Sequence, residues 1–249
     1  MTSEAIELIS PDWPAPDGIK AVSTTRTGGV SLPPYHSFNM GDHVGDDATR
    51  VEANRFQLAG SLNLGAEDIQ WLKQVHGTQV FKMEEVLPDV EADAVYTCRT
   101  GKACSIMTAD CLPVLFASFD GNEVAAAHAG WRGLVSGVLE STLGCFKNPS
   151  ETMAWLGPAI GPEVFEVGDE VRQEFLGKDK QMAEAFKPSP VNSDKWVADI
   201  YLLARMTLLS VGLSSIYGGQ YCTLSEPERF YSYRRDGITG RMASLIWKV

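Results

Sequence analysis

Two stretches of the sequence place a thiol and an imidazole at mirrored positions. Thr108-Ala109-Asp110-Cys111-Leu112-Pro113 opens one apolar run, and Val124-Ala125-Ala126-Ala127-His128-Ala129-Gly130 forms the next, with Asp120-Gly121-Asn122 between them. An Asp-Gly step between apolar runs predicts a hairpin. Folding the chain back near Phe119 to Gly121 pairs positions whose numbers sum to about 239 to 241, and Cys111 with His128 gives 239. The two side chains therefore meet at one end of the hairpin, directly or diagonally opposed. Pro113 suits this layout, because proline is tolerated at the first residue of a strand. Such a pair has three readings: metal ligands, a nucleophile with its base, or two buried core residues. A further nitrogen ligand would turn it toward zinc, which takes thiolate and imidazole and, in catalytic sites, keeps one position open.

The sequence offers four histidines, His36, His43, His76 and His128. His76 stands in Gln74-Val75-His76-Gly77-Thr78-Gln79, where glycine beside it marks a bulge or a close approach. A ligand could turn inward there; a surface histidine on a bent strand is the plainer alternative. The gaps of 35 residues to Cys111 and 17 more to His128 match no short zinc signature. Three segments could hold an oxyanion if two converge: Arg26 before Thr27-Gly28-Gly29, Arg55 after Asn54, and Arg234-Arg235 before Asp236-Gly237. Taken singly, each reads as a surface salt bridge. Gly130 to Gly133, at a helix start, offers backbone N–H groups or allows close packing. Asp110 and Asp93 could move protons or cap turns.

The elements that must position these residues are short. Strands are predicted at Gly18 to Thr25, Ile69 to Lys82 (interrupted at His76-Gly77), Ala94 to Tyr96, Ala103 to Met107, Leu112 to Ser118, Glu123 to Ala127 and Met153 to Leu156. Helices are predicted from Asp46 or Asp47 to about Leu58, from Trp131 through Leu143, over Glu170 to Phe175, and from Asp199 to Leu209. Ser215 to Tyr217 and Arg241 to Trp247 read as late strands around the turn Asp236-Gly237. Many strands follow one another with no room for a crossover helix, which predicts an α+β fold with mixed or antiparallel sheets. No repeat or linker divides the chain, so one domain over residues 1–249 is expected.

With 249 residues, 44% of them hydrophobic, the chain can bury a core, and its net charge of -11 disfavours nucleic acid and anionic membranes as partners. No apolar run reaches the roughly 18 to 20 residues of a membrane span. The start, MTSEAIELISPDWPAP, carries acids and prolines where a secretory signal carries a basic end and an apolar run. Five cysteines without framework spacing (Cys98, Cys104, Cys111, Cys145, Cys222) predict reduced thiols and a cytoplasmic protein.

The sequence also resembles the YfiH family, related to the animal protein laccase domain-containing 1 and formerly called multicopper polyphenol oxidases. The matching pieces are Thr24-Thr25-Arg26-Thr27-Gly28-Gly29-Val30-Ser31, Phe38-Asn39-Met40-Gly41, Val44-Gly45-Asp46-Asp47, Gln74-Val75-His76-Gly77, Ala92-Asp93-Ala94, Ala109-Asp110-Cys111, His128-Ala129-Gly130-Trp131-Arg132-Gly133, Gly157-Pro158-Ala159-Ile160-Gly161-Pro162, Arg234-Arg235-Asp236-Gly237 and Thr239-Gly240-Arg241-Met242. The resemblance implies a layered α/β/β/α fold and zinc held by His76, Cys111 and His128. It implies phosphorolysis of adenosine, inosine, guanosine or methylthioadenosine with inorganic phosphate, together with deamination of adenosine to inosine. It places Asn39 and Arg55 beside the nucleoside; Arg26 and Arg234 are the expected anion binders and Asp110 the expected proton carrier. One departure lies at Tyr221-Cys222-Thr223, where some members carry a second cysteine and this chain has Leu224-Ser225, so no role is carried to Cys222. Three competing readings stand beside this one. A copper polyphenol oxidase would use the same ligands, but a multicopper centre needs more histidines than the chain has. A cysteine hydrolase would use Cys111 with His128, as in peptidoglycan precursor editing. A nucleoside- or partner-binding module would bind without turnover.

Overall fold

Alternation of side chains along the strands decides how the layers stack. A computed structural model describes residues 5–249. In chain order its strands are β1 (Leu8–Ile9), β2 (Ile19–Thr24), β3 (Ile69–Gln70), β4 (Val80–Lys82), β5 (Ala94–Thr97), β6 (Ala103–Thr108), β7 (Leu112–Ser118), β8 (Val124–Ala129), β9 (Thr152–Leu156), β10 (Glu166–Gly168), β11 (Phe186–Pro188), β12 (Lys195–Ala198), β13 (Ser215–Gly218) and β14 (Met242–Lys248). The helices are α1 (Ala48–Ser61), α2 (Trp131–Ser136), α3 (Val138–Leu143), α4 (Asp169–Lys178), α5 (Ile200–Ser210) and α6 (Tyr233–Asp236). One sheet has the order β1-β2-β14-β6-β3, a second β13-β9-β7-β8-β5-β4, and a small third β10-β12-β11. The pairings β3 with β6, β4 with β5 and β9 with β13 are parallel, and the rest of the two large sheets is antiparallel.

Leu112, Val114 and Phe116 of β7 and Ala125, Ala127 and Ala129 of β8 face Val138, Leu139, Leu203 and Leu208 of α3 and α5. The intervening Leu115, Ala117, Val124 and Ala126 meet Ile106, Met242 and Ile246 of the other sheet. On that sheet's outer side Ala103, Met107, Ala243 and Leu245 pack under Leu58 and Ala59 of α1. Three apolar contacts in series give the helix-sheet-sheet-helix layering, a single-domain α+β fold. The expected span of 1–249 includes residues 1–4, which lie outside the described residues, as does the beginning of the acidic start segment. No helix among the described residues is long and apolar enough to cross a membrane.

Three sequence expectations change. The predicted strand over Ile69 to Lys82 survives only at its ends, β3 and β4, which belong to different sheets; the chain between them crosses from one sheet to the other. The predicted helix from Trp131 to Leu143 is cut at Gly137, whose φ of 104° ends α2 before α3 begins. Asp236-Gly237 closes the short helix α6 rather than a hairpin, because β13 and β14 lie in different sheets. The cap at Asp47 does form: its carboxylate accepts the N–H groups of Thr49 and Arg50, a contact contributing about 1 kcal/mol.

Candidate metal centre

The hairpin of β7 and β8 pairs Pro113 with His128 and Leu112 with Ala129. Cys111, one residue before β7, therefore lies diagonally from His128, on the side where Leu115 and Val124 face the inter-sheet core. His76 arrives from the loop that crosses between the sheets, with φ of 62°. A left-handed histidine is an uncommon backbone state and marks a position held by its surroundings. The donor atoms of His76, Cys111 and His128 all lie within 4.8 Å of one another. Cys111 Sγ is 3.8 Å from His76 Nε2, and the two imidazole rings meet edge-on with centroids 4.7 Å apart.

Asp93 organises the group. It is fully buried, and its carboxylate accepts the N–H groups of Val75 (3.2 Å), His76 (2.9 Å) and Gly77 (2.6 Å). The same carboxylate takes His128 Nδ1 at 2.8 Å, while its backbone carbonyl accepts the His128 N–H at 2.7 Å. One side chain thus fixes both the loop that carries His76 and the ring of His128. With Nδ1 committed, the Nε2 nitrogen of His128 is the one turned to a ligand. Burial alone would raise the Asp93 pKa, but the His128 hydrogen bond and the loop amides hold it below the usual carboxylate range. Burial would also push the Cys111 thiol up; neighbouring His128 and His76 bring it down to about 6. Burial disfavours charge on His128, yet Cys111 and Asp93 raise it to about 9. Cys111 and His128 thus each favour the charged form of the other.

Glycines make room. A Cβ on Gly130 would fall 2.9 Å from His76 Cδ2 and 3.0 Å from Cys111 Sγ, and one on Gly133 would fall 3.0 Å from the Gly77 carbonyl. The start of α2 is therefore glycine-rich so that it can close on the ligand loop. His128 is 3% exposed, Cys111 half-buried and His76 exposed, so the group opens on one side. Two imidazoles, one cysteine sulfur, a carboxylate behind one ring and an open face suit a bound metal ion with a free position. His36 and His43 stand exposed and join no ligand cluster among the described residues.

The other expected residues fall into distinct positions. Asp110, with φ of 89°, accepts Thr223 Oγ1–H at 2.7 Å and the Arg234 N–H at 2.6 Å, tying α6 beside Cys111. Both of its oxygens are thereby engaged. Asn39 is fully buried: its amide donates to Gly41 O and Asp46 Oδ2, and its oxygen accepts the N–H groups of Gly41 and Arg241. Its side chain has no capacity left for a ligand. Arg55 donates to Met40 O, pairs with Asp42 at 3.2 Å and lies 4.3 Å over the Trp71 ring. Arg26 gives Nε and Nη1 to the carbonyls of His36 and Pro227 and lies over Tyr231. Arg234 gives Nη1 to Glu166 O, and Arg235 is spent on carbonyls and Asp236. All three expected arginine segments thus spend side-chain donors on backbone carbonyls. Cys222 Sγ accepts the Gly161 N–H at 3.3 Å.

The family model described as multi-copper polyphenol oxidoreductase laccase matches residues 20–249. A curated Escherichia coli protein, purine nucleoside phosphorylase YfiH, is 54% identical over 245 residues, spanning 98% of this chain and 99% of its own length. The chain belongs to the YfiH family. A Haemophilus influenzae relative, also named purine nucleoside phosphorylase, is 49% identical over 97% of this chain and 99% of its own. A Neisseria meningitidis crystal structure of the DUF152 family superposes with a TM-score of 0.92 at 47% identity, covering 97% of this chain and 98% of that one. The Bacillus licheniformis YfiH structure gives 0.89 at 29% identity, covering 99% and 100%.

Around the trio, this YfiH-family chain uses residues that sequence reasoning did not single out. Gln74 donates to Met107 O and accepts the Met107 N–H, both at 2.8 Å, docking the His76 loop on the end of β6. Trp71 and Asp42 hold Arg55. Gln74 was legible as part of the motif Gln74-Val75-His76-Gly77; Trp71 and Asp42 carried no signal, because their contacts join distant parts of the chain.

Proposed function

We propose that this chain is a zinc-dependent purine nucleoside phosphorylase, acting on adenosine, inosine, guanosine or methylthioadenosine with inorganic phosphate, and that it also deaminates adenosine to inosine. The convergence of His76, Cys111 and His128 donors within 4.8 Å, held by buried Asp93, is the observation that carries this reading. The names of the relatives supply the substrate class. Bound at these three residues, zinc supplies Lewis acidity and lowers the pKa of water. The chain's own residues set the geometry. Asp93 keeps His128 Nδ1 as a donor and holds the 75–77 loop, so the ligand atoms start near one another. Arg55, clamped by Trp71, Asp42 and Met40, gives a rigid planar face at the nucleoside position. Asn39 acts from behind by fixing Gly41 and Arg241; Asp110 acts by fixing α6 beside Cys111. Arg26 and Arg234 brace neighbouring loops through the carbonyls of His36, Pro227 and Glu166. In phosphorolysis a phosphate oxygen bonds to C1′ while the N-glycosidic bond breaks, its electron pair leaving with the purine, which takes up a proton. Unpaired cysteines agree with a cytoplasmic setting.

The test is metal analysis of protein expressed without added copper, with inosine consumption measured in phosphate buffer. About one zinc per chain and phosphate-dependent release of hypoxanthine are expected, and His76→Ala should abolish both. Wild-type turnover in that variant would overturn the reading. A second reading, a thiol hydrolase, is favoured by the closeness of Cys111 and His128, each of which favours the other's charged form. It predicts activity that survives a chelator, whereas the phosphorylase reading predicts loss. Copper in place of zinc, with phenol oxidation, would mark the oxidase.

A further inference from the structure

We infer that Arg241 is the anion anchor of this site and binds the attacking phosphate. The inference rests on the phosphorylase reading and adds a residue to it. β14 begins at Met242, which pairs with Thr108 at the end of β6. Arg241 enters β14 at the same end of the sheet from which Ala109, Asp110 and Cys111 leave β6. Ala243 and Leu245 of β14 face the α1 side together with Met107, and Arg241 shares their parity. Arg55 lies on that side as well, its Nη2 3.7 Å from Met107 Sδ. Gly41 leaves room for the arginine stem, since a Cβ there would come 2.8 Å from Arg241 Cγ. The backbone is pinned where the Arg241 N–H donates to Asn39 Oδ1 at 2.8 Å.

The guanidinium has donors to give. Nη1 donates to the carbonyls of Thr239 and Gly240, each at 3.0 Å. Nε and Nη2 meet no acceptor among the described residues, and no described carboxylate pairs with Arg241. Asp110, the nearby acid, has both oxygens taken by Thr223 and the Arg234 N–H. Arg55 differs: Asp42 already neutralises it at 3.2 Å. Arg235 is bound by Asp236 and carbonyls. A half-buried arginine with an unused donor edge suits a doubly charged tetrahedral oxyanion, which a guanidinium binds through two parallel N–H groups. Tyr233, 61% exposed, flanks the guanidinium with its ring centre 5.9 Å from Cζ.

Arg241→Gln and Arg241→Lys decide the matter by steady-state kinetics with inosine and inorganic phosphate varied separately. Arg241→Gln should raise the KM for phosphate about tenfold or more while the KM for inosine shifts by less than about threefold, with Arg241→Lys between. Inorganic phosphate alone should raise the melting temperature of the wild type and not that of Arg241→Gln. A wild-type phosphate KM and an undiminished phosphate-induced shift in Arg241→Gln would overturn the inference. If Arg241→Gln fails to fold, a wild-type phosphate KM and thermal shift in Arg241→Lys would overturn it. A wild type that binds phosphate through Arg241 yet never cleaves inosine would instead overturn the phosphorylase reading and leave the anchor standing.

Discussion

The two ends of the β-sandwich differ in the side chains they bring together. A groove of about 490 Å³ lined by Lys20, Val22, Ser61, Leu64, Trp247 and Lys248 lies where β14 ends and β2 begins. The ligand trio lies at the opposite end, where β14 begins and β6 stops. The groove end is an open trough of mixed polar and apolar lining with two lysines and, among the described residues, no group of metal-binding side chains. The trio end has left-handed His76 and Asp110, glycines that cannot carry a Cβ, and a buried carboxylate committed to two ligand-bearing segments. Converging, firmly held donors mark one end and an open groove the other.

The sharpest way to break this contrast is substitution at both ends. Cys111→Ser or His128→Ala should remove the metal and cut phosphorolysis at least about a hundredfold. Lys20→Ala or Ser61→Ala in the groove should change kcat/KM by less than about twofold. Equal losses at the two ends, measured in one inosine assay, would erase the distinction. Next in size, Asp93→Asn should weaken zinc affinity about 10- to 100-fold in competition with a chelator, because the His128 ring and the 75–77 loop lose their common acceptor. Gly130→Ala should lower zinc affinity by about tenfold, since His76 and Cys111 must both give way to the new methyl group.

The smallest effect concerns Asp42, which holds Arg55. Its hydrogen bond with His43 lowers its pKa most, burial opposes, and the Arg55 charge adds to the lowering, leaving it at about 2. A depressed carboxylate contributes stability that is present above its unfolded value and lost as pH falls through about 2. In urea titrations, Asp42→Asn should therefore be less stable than wild type near pH 5, with the gap closing toward about pH 2. The side chain is 57% exposed, so the gap should not exceed about 1 kcal/mol. A constant gap across that range would show that the ion pair contributes nothing.

Much of this was legible in residue order. Hairpin arithmetic brought Cys111 to His128, with the observed register showing the diagonal option, and Gly77 marked where His76 departs from a strand. Asp47 and Asp199 cap α1 and α5 as their types suggest. What was hidden depends on contacts between remote segments. The Asp93 carboxylate captures amides that would otherwise extend a ladder, so an alternating pattern over 69–82 became a crossing loop. Leu134, Val135, Val138 and Leu139 keep helical spacing across Gly137, so periodicity could not show the break. The unused donors of Arg241 are a property of what fails to reach them, which spacing does not encode.

The most direct measurement is anomalous diffraction from crystals of the purified protein, collected on either side of the zinc absorption edge. The account predicts one strong zinc peak bonded to His76 Nε2, Cys111 Sγ and His128 Nε2. A metal-free trio in active protein, or zinc bound elsewhere, would contradict it.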